Sequence, residues 1–353
     1  MSKHGARWIA RIAALAALLL TSALVAPVEA CGCGGYVPHG GDAYVSQEQA
    51  LLRWDGQTED ILMSLGVLGS SQDAAVILPV PAQATVKLGQ AAIWDQLDEL
   101  TRPVIVTKKR LAFPFPFMGG AAAAPGAAAP VTVLSRQTLG PFDVSNLAAT
   151  DASALADWLN QNGYQLSPGL AQALQPYVAE GWFYVAVRLS PGSGSTLSGA
   201  LDPLQVTFAS TSLVYPMRAS ANARGPETVT VYVLANHRVQ KTQNFGSTHT
   251  GFADWVDPAA AAAGTPLASF VDRRLFLTKF VDQVDPAQVN DDFHFTIASS
   301  DEAAHDVIVD YEDDYSWFYL LCGGLCLVVV LGVAGVTALV LRRGRQRPGG
   351  LAA

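Results

Sequence analysis

The residues of this 353-residue chain best suited to chemistry begin at CGCGGYVPHGG, residues 31–41, where Cys31 and Cys33 stand one residue apart and His39 follows. Such a group could attach a lipid, clasp a metal, close a disulfide or open a mature chain. A zinc site normally takes about four ligands, so these three would need a distant fourth. Lipidation at Cys31 requires small apolar residues before it, and Glu29 is charged. Thiols outside the cytoplasm tend to oxidise, and the other cysteines, Cys322 and Cys326, lie inside a long apolar run. We therefore favour a Cys31–Cys33 disulfide as a tight local staple, with a bridge to a second molecule as the alternative.

Signatures of catalysis are sparse. The chain has no Gly-x-Ser-x-Gly, no His-Glu-x-x-His and no glycine-rich phosphate loop. His237, His249, His294 and His305 could each act as a base, but isolated histidines are mostly structural. A triad brought together only by folding stays open as a second possibility. No catalytic residue, cofactor or metal ligand is assigned, and the enzyme reading is the weaker one. Asp301, Glu302, Asp306, Asp310, Glu312, Asp313 and Asp314 crowd one stretch without Lys or Arg, just after Asp291 and Asp292. Carboxylates at that density can share calcium, yet they lack EF-hand spacing, and a solvated, self-repelling stalk is the simpler reading.

The elements around these residues follow from pattern. Glu48–Trp54 and Glu59–Gly66 read as strands meeting in a hairpin at Asp55-Gly56. Ala74–Leu78 reads as a further strand ended by Pro79 and Pro81, and Ile93, Trp94, Leu97 and Leu100 repeat at helical spacing. Residues 113–130, FPFPFMGGAAAAPGAAAP, read as a flexible insertion headed by Phe113, Phe115 and Phe117, and 257–266 as a second break. Val131–Leu134 reads as extended. Asp151 is expected to cap a helix carrying Leu155, Trp158 and Leu159, closed by Gly163, and Ser167-Pro168 opens another. Trp182–Leu189, Leu204–Phe208 and Thr228–Ala235 are strands, with a turn over 192–199. The fold class expected is α+β, a mostly antiparallel sheet with a few short helices and one C-terminal transmembrane helix.

The two ends decide where this domain works. Residues 1–30 have a basic start, an uncharged apolar centre and small residues before Cys31, the pattern of a signal peptide. Residues 317–341, from Trp317 to Leu341, carry no charge and at 1.5 Å per residue extend on the order of 37 Å, enough for a bilayer core of about 30 Å. Trp317 suits one interface, and Arg342 and Arg343 hold the other end in the cytoplasm. Between these ends fifteen Lys and Arg face twenty-nine Asp and Glu. That surface repels nucleic acid and anionic headgroups. The expected order is a signal peptide (1–30), an extracytoplasmic domain (31–300), an acidic stalk (301–316), the span (317–341) and a basic tail (342–353).

Several blocks carry a resemblance: the Cys-Gly opening, ILPVP at 77–81, GPFDVSNLAATDASALADWLNQNGYQL at 140–166, YVAEGWFYVAVRL at 177–189, LDPLQVTFASTSLVYPMR at 201–218 and FLTKF at 276–280. Together they resemble the bacterial family called domain of unknown function 2330. The resemblance implies an exported bacterial domain, often membrane-tethered, and brings no activity or catalytic residues. The function expected is binding or assembly at the cell surface, single-pass in the plasma membrane with the N-terminal domain outside. Its partners would be the lipid bilayer and an unknown protein or cell-envelope component. An extracytoplasmic hydrolase is the first alternative, and a calcium-dependent adhesion or spacer module the second.

Overall fold

The computed structural model describes residues 35–111, 143–148, 152–190, 196–261 and 263–345. Residues 1–30, Cys31 and Cys33, residues 113–130, Val131–Leu134 and Asp151 lie outside them. The chain divides into two compact units, Met1–Pro103 with Val131–Asp306, and Val104–Pro130 with Val307–Ala353.

The first unit is built on a twelve-stranded, mostly antiparallel sheet. In chain order its strands are β1 (Gly35–Gly41), β2 (Tyr44–Trp54), β3 (Thr58–Val80) and β4 (Thr85–Leu88), followed by helix α1 (Ala92–Leu100). After β5 (Val104–Leu111), which belongs to the second unit, come β6 (Asp143–Ala148), α2 (Ala152–Gln161), α3 (Pro168–Ala179), β7 (Phe183–Leu189), β8 (Leu197–Ala200), β9 (Leu204–Ala209) and β10 (Leu213–Tyr215). The remainder is β11 (Glu227–Ala235), β12 (Val239–Lys241), β13 (Gly246–Val256), β14 (Leu275–Val284), β15 (Phe293–Ile297) and β16 (Ala304–His305). Strands β10, β15 and β12 form a separate antiparallel sheet.

Strand β3 organises the rest. Its first half lies between β2 and β9, its second between β1 and β7. The partner changes from β2 to β1 around Gly69, whose φ is +77°. Gly41 meets this corner with φ +154°, and a Cβ there would stand 1.9 Å from the Ser70 carbonyl oxygen, so no side chain fits. The sequence pattern gives two strands here, Glu59–Gly66 and Ala74–Leu78 ended by Pro79 and Pro81, where the structure has one. Pro79 lies beyond the last described β1 pair, Gly35↔Ile77, and stands opposite Tyr184 of β7.

Alternation along the strands sorts the core. Ala50, Leu52, Ile61, Met63, Val76, Leu78, Val229 and Val231 point into one central cluster, which Tyr215, Phe293 and Phe295 of the smaller sheet close from across. The opposite face of β2, the first half of β3 and β11 is covered by α1 through Ile93, Trp94 and Leu97. The opposite face of β1 and the second half of β3 is covered by α2 and α3 through Leu155, Leu159, Leu170 and Leu174. Burial on both faces explains why β11, which runs parallel to β2, reads ETVTVYVLA with almost no exposed position. Fully burying Leu97 or Ile93 contributes roughly 1.5–3 kcal/mol each.

The expected hairpin is present, with Asp55 Oδ1 accepting from the N–H groups of Gln57 and Thr58. Ser167 caps α3, its hydroxyl accepting from Leu170 N–H. The turn expected over 192–199 is shorter, since Leu197–Gly199 belong to β8 and pair with β3.

The second unit holds β5, its parallel partner β17 (Val307–Asp314) and α4 (Ser316–Arg345). The stretch read as a stalk thus contains strands. Helix α4 is long and apolar enough to cross a membrane, with a mean hydropathy of 2.7 and its apolar window 0% buried.

Candidate functional site

Along β12 the residues alternate, so that Lys241 shares the inward face of Val239. A lysine in that position needs a partner, and three converge on it. Asp282 of β14 accepts from its ammonium, Thr248 of β13 accepts at 2.9 Å, and the Phe293 ring lies 3.8 Å away. The Thr248 hydroxyl also donates to Asp282 Oδ1. The lysine and aspartate side chains are only 1% and 3% exposed. Burial lowers the Lys241 ammonium and raises the Asp282 carboxyl, each opposed by attraction to the other. Asp282 Oδ2 has no hydrogen-bond partner among the described residues.

Thr248 opens onto a pocket of about 340 Å³ whose other walls include Arg238, Gln240, Asn244, Thr250 and Ser300. A hydroxyl that accepts from an ammonium and donates to a carboxylate is one whose proton the carboxylate can take. The polar walls suit a small hydrogen-bonding ligand. A larger groove of about 700 Å³ adjoins α1, lined by Leu100, Ala261 and Leu267 with Asp95 and Glu99.

A second polar centre joins α3 to β15. Asp292, 0% exposed, accepts from the Tyr177 hydroxyl at 2.5 Å and from the Met217 N–H at 2.7 Å. Arg218 lies over the Tyr177 ring and pairs with Glu180 and Asp291, both at 2.9 Å. Burial raises the Asp292 carboxyl despite these donors, whereas at Asp291 burial is outweighed by the Asp292 N–H and Arg218, which hold it low. Ligand atoms of Asp291, Asp292 and His294 lie within 4.8 Å of one another, a spacing that could hold a metal ion. Arg218 already supplies positive charge there, so the cluster is sufficiently explained as a latch.

A third centre sits deeper. Glu48 of β2 accepts from the Tyr215 hydroxyl, and Glu227 of β11 accepts from Ser220 at 3.0 Å. Burial, then repulsion from Glu48, pushes the Glu227 carboxyl up to about 9.

The histidines singled out in the sequence do not gather in a pocket. Each of the five described histidines lies within 3.7 Å of an aspartate: His39 with Asp73, His237 with Asp301, His249 with Asp306, His294 with Asp291 and His305 with Asp254. The acidic run is divided in the same way, since Asp301 and Asp306 serve histidines while Asp313 serves Arg110. Trp317, Leu341, Arg342 and Arg343 all fall on α4, which runs past Leu341 to Arg345. Lys241, Thr248 and Asp282 went unremarked in the sequence, because a Val-Gln-Lys triplet gives no sign that its lysine is buried.

Among solved structures, one titled as the crystal structure of baculovirus P35 aligns at 12% identity and a TM-score of 0.35, over 73% of this chain and 98% of that one. No curated protein matches. A family model does match, over residues 27–296. The chain therefore belongs to the bacterial family described as "uncharacterized protein conserved in bacteria" (DUF2330).

Proposed function

We propose that this chain is a membrane-anchored protein of the bacterial cell surface, whose sheet domain binds or assembles with other envelope components outside the plasma membrane. The observation that carries this reading is α4, whose apolar window is 0% buried among the described residues. Its start carries Trp317, Phe318 and Tyr319, residues that favour an interface, and its end Arg342 and Arg343, which by the positive-inside rule favour a cytoplasmic end. The apolar groove beside α1 adds a surface suited to binding rather than to chemistry.

Fractionation of cells expressing the full chain, with alkaline carbonate extraction and protease treatment of intact spheroplasts, tests it. The chain should stay in the membrane pellet, and protease should remove the sheet domain while sparing a C-terminal tag. Extraction into the supernatant, or a domain shielded from protease, would overturn the reading.

A hydrolase is the second reading, favoured by Thr248 facing a pocket with Lys241 and Asp282 behind it. Generic ester and amide substrates should then be cleaved by the full chain and not by its Thr248→Val variant. Equal rates from the two would remove this alternative.

A further inference from the structure

The ribbon of β5 and β17 is incomplete as it stands. The two strands pair in parallel from Val104↔Val307 to Leu111↔Asp314. Parallel sheets are ordinarily covered on both faces, and a two-stranded ribbon alone is marginal in water. Here Val104, Ile105, Leu111, Val307 and Ile308 are 46%, 64%, 74%, 56% and 45% exposed. Among the described residues each strand has one partner, so both outer edges are open. Open, apolar edges are templates for another strand.

Charge says which strand. β5 reads VIVTKKRL, with Lys108, Lys109 and Arg110 and no acid. β17 reads VIVDYEDD, with Asp310, Glu312, Asp313 and Asp314 and no base. Within the ribbon this opposition is already used, as Arg110 Nε stands 2.5 Å from Asp313 Oδ1. Two β5 edges brought together would stack lysine on lysine, and two β17 edges acid on acid. Only unlike edges match, and both strands of that match are present in every copy.

We propose that the ribbon is a self-assembly edge, in which β17 of a second copy of this chain adds in parallel to the free edge of β5 and repeats the internal register. This rests on the reading of α4 as a membrane anchor. β17 ends at Asp314, and α4 begins at Ser316. Chains inserted in one direction therefore present their ribbons in one direction, which permits parallel addition and forbids antiparallel. Each Arg110 would then have an Asp313 on either side, about 4.8 Å away across the sheet. The contact is heterologous, so it propagates along the membrane as a row or closes as a ring.

The test uses full-length chains whose four cysteines are replaced by serine, expressed together in bacterial membranes as two differently tagged copies. One carries Thr107→Cys and the other Asp310→Cys, positions that face each other in the internal register. On mild oxidation we expect mixed-tag disulfide dimers at roughly tenfold the yield given by Thr107→Cys with Leu88→Cys, an exposed position on β4, because pairing raises the effective concentration of the two thiols. Thr107→Cys alone should give little dimer. Mixed dimers no more abundant than this collision control, or equal dimer from Thr107→Cys alone, would overturn the proposal and leave the edge charges as devices that keep strands apart. Carbonate extraction of the same membranes separates the two ideas. Retention in the pellet without mixed dimer defeats the assembly alone, whereas release into the supernatant defeats the anchor and with it the fixed polarity that the pairing needs.

Discussion

Lys241 and Asp282 hold charges that the core would reject singly. A buried ion pair contributes little net stability over apolar replacements, but losing one member leaves the other uncompensated. Lys241→Met should therefore lower the stability of the full chain by about 3–5 kcal/mol in urea titrations in mild detergent, and the double variant Lys241→Met, Asp282→Leu should recover most of it. A single variant as stable as the parent would show that the pair does not lock β12 to β14. Glu227 gives a prediction in pH. Its folded value of about 9 lies above the ordinary 4.5, so the folded chain holds a proton that the unfolded chain releases. Stability is full below about 4.5, falls as pH rises through the interval, and the loss is complete above about 9. Thermal melts of Glu227→Gln should show a shallower decline over that interval than the parent. An unchanged slope would mean that Glu227 is ionised in the fold. These residues were not legible beforehand, since Lys241, Glu227 and Asp282 are ordinary strand residues until their neighbours across the sheet are known, whereas the cysteine and histidine clusters that stood out are local features.

Among the elements, those fixed by nearby residues were read correctly. The Asp55-Gly56 turn, the cap at Ser167 and the spacing of Ile93, Trp94 and Leu97 each act within about one turn of chain, and each is present. β3 was misread because its length depends on which strands lie beside it. Proline near its end is a stop by local rule, and pairing with β7 carries the strand past it, while pairing with β2 and β1 joins its two halves. The pairing of β5 with β17 joins segments just over two hundred residues apart and leaves no trace in either alone. Gly41 tests the corner. Gly41→Ala drives a methyl into the Ser70 carbonyl, so the corner must open, and a cost of at least about 1–3 kcal/mol is expected in the same urea titrations. Gly56→Ala, where nothing lies within 4 Å of the added methyl, separates the two effects, since it keeps the strain of a positive φ and lacks the clash. If the two cost the same, close approach at the corner is not what requires glycine.

At the scale of the molecule, α4 is the one described helix whose apolar side chains are exposed along its length. Val328, Val329, Val330 and Leu331 are successive around the helix and all more than half exposed, so apolar groups surround it on every side. A helix of that kind is stable only in a medium that welcomes all its faces. In the sequence it was the plainest feature, because length and composition alone define it, while the sheet domain required partners that the sequence did not name. Ending the chain at Tyr315 removes α4, whose apolar window is not buried among the described residues. The truncated protein should become water-soluble, and its thermal midpoint should stay within about 4 °C of the full chain's in detergent, the shift expected for a loss below about 1 kcal/mol. A large fall in the midpoint would show that α4 packs on the sheet domain as a core helix does, which would remove the reason for putting it in lipid.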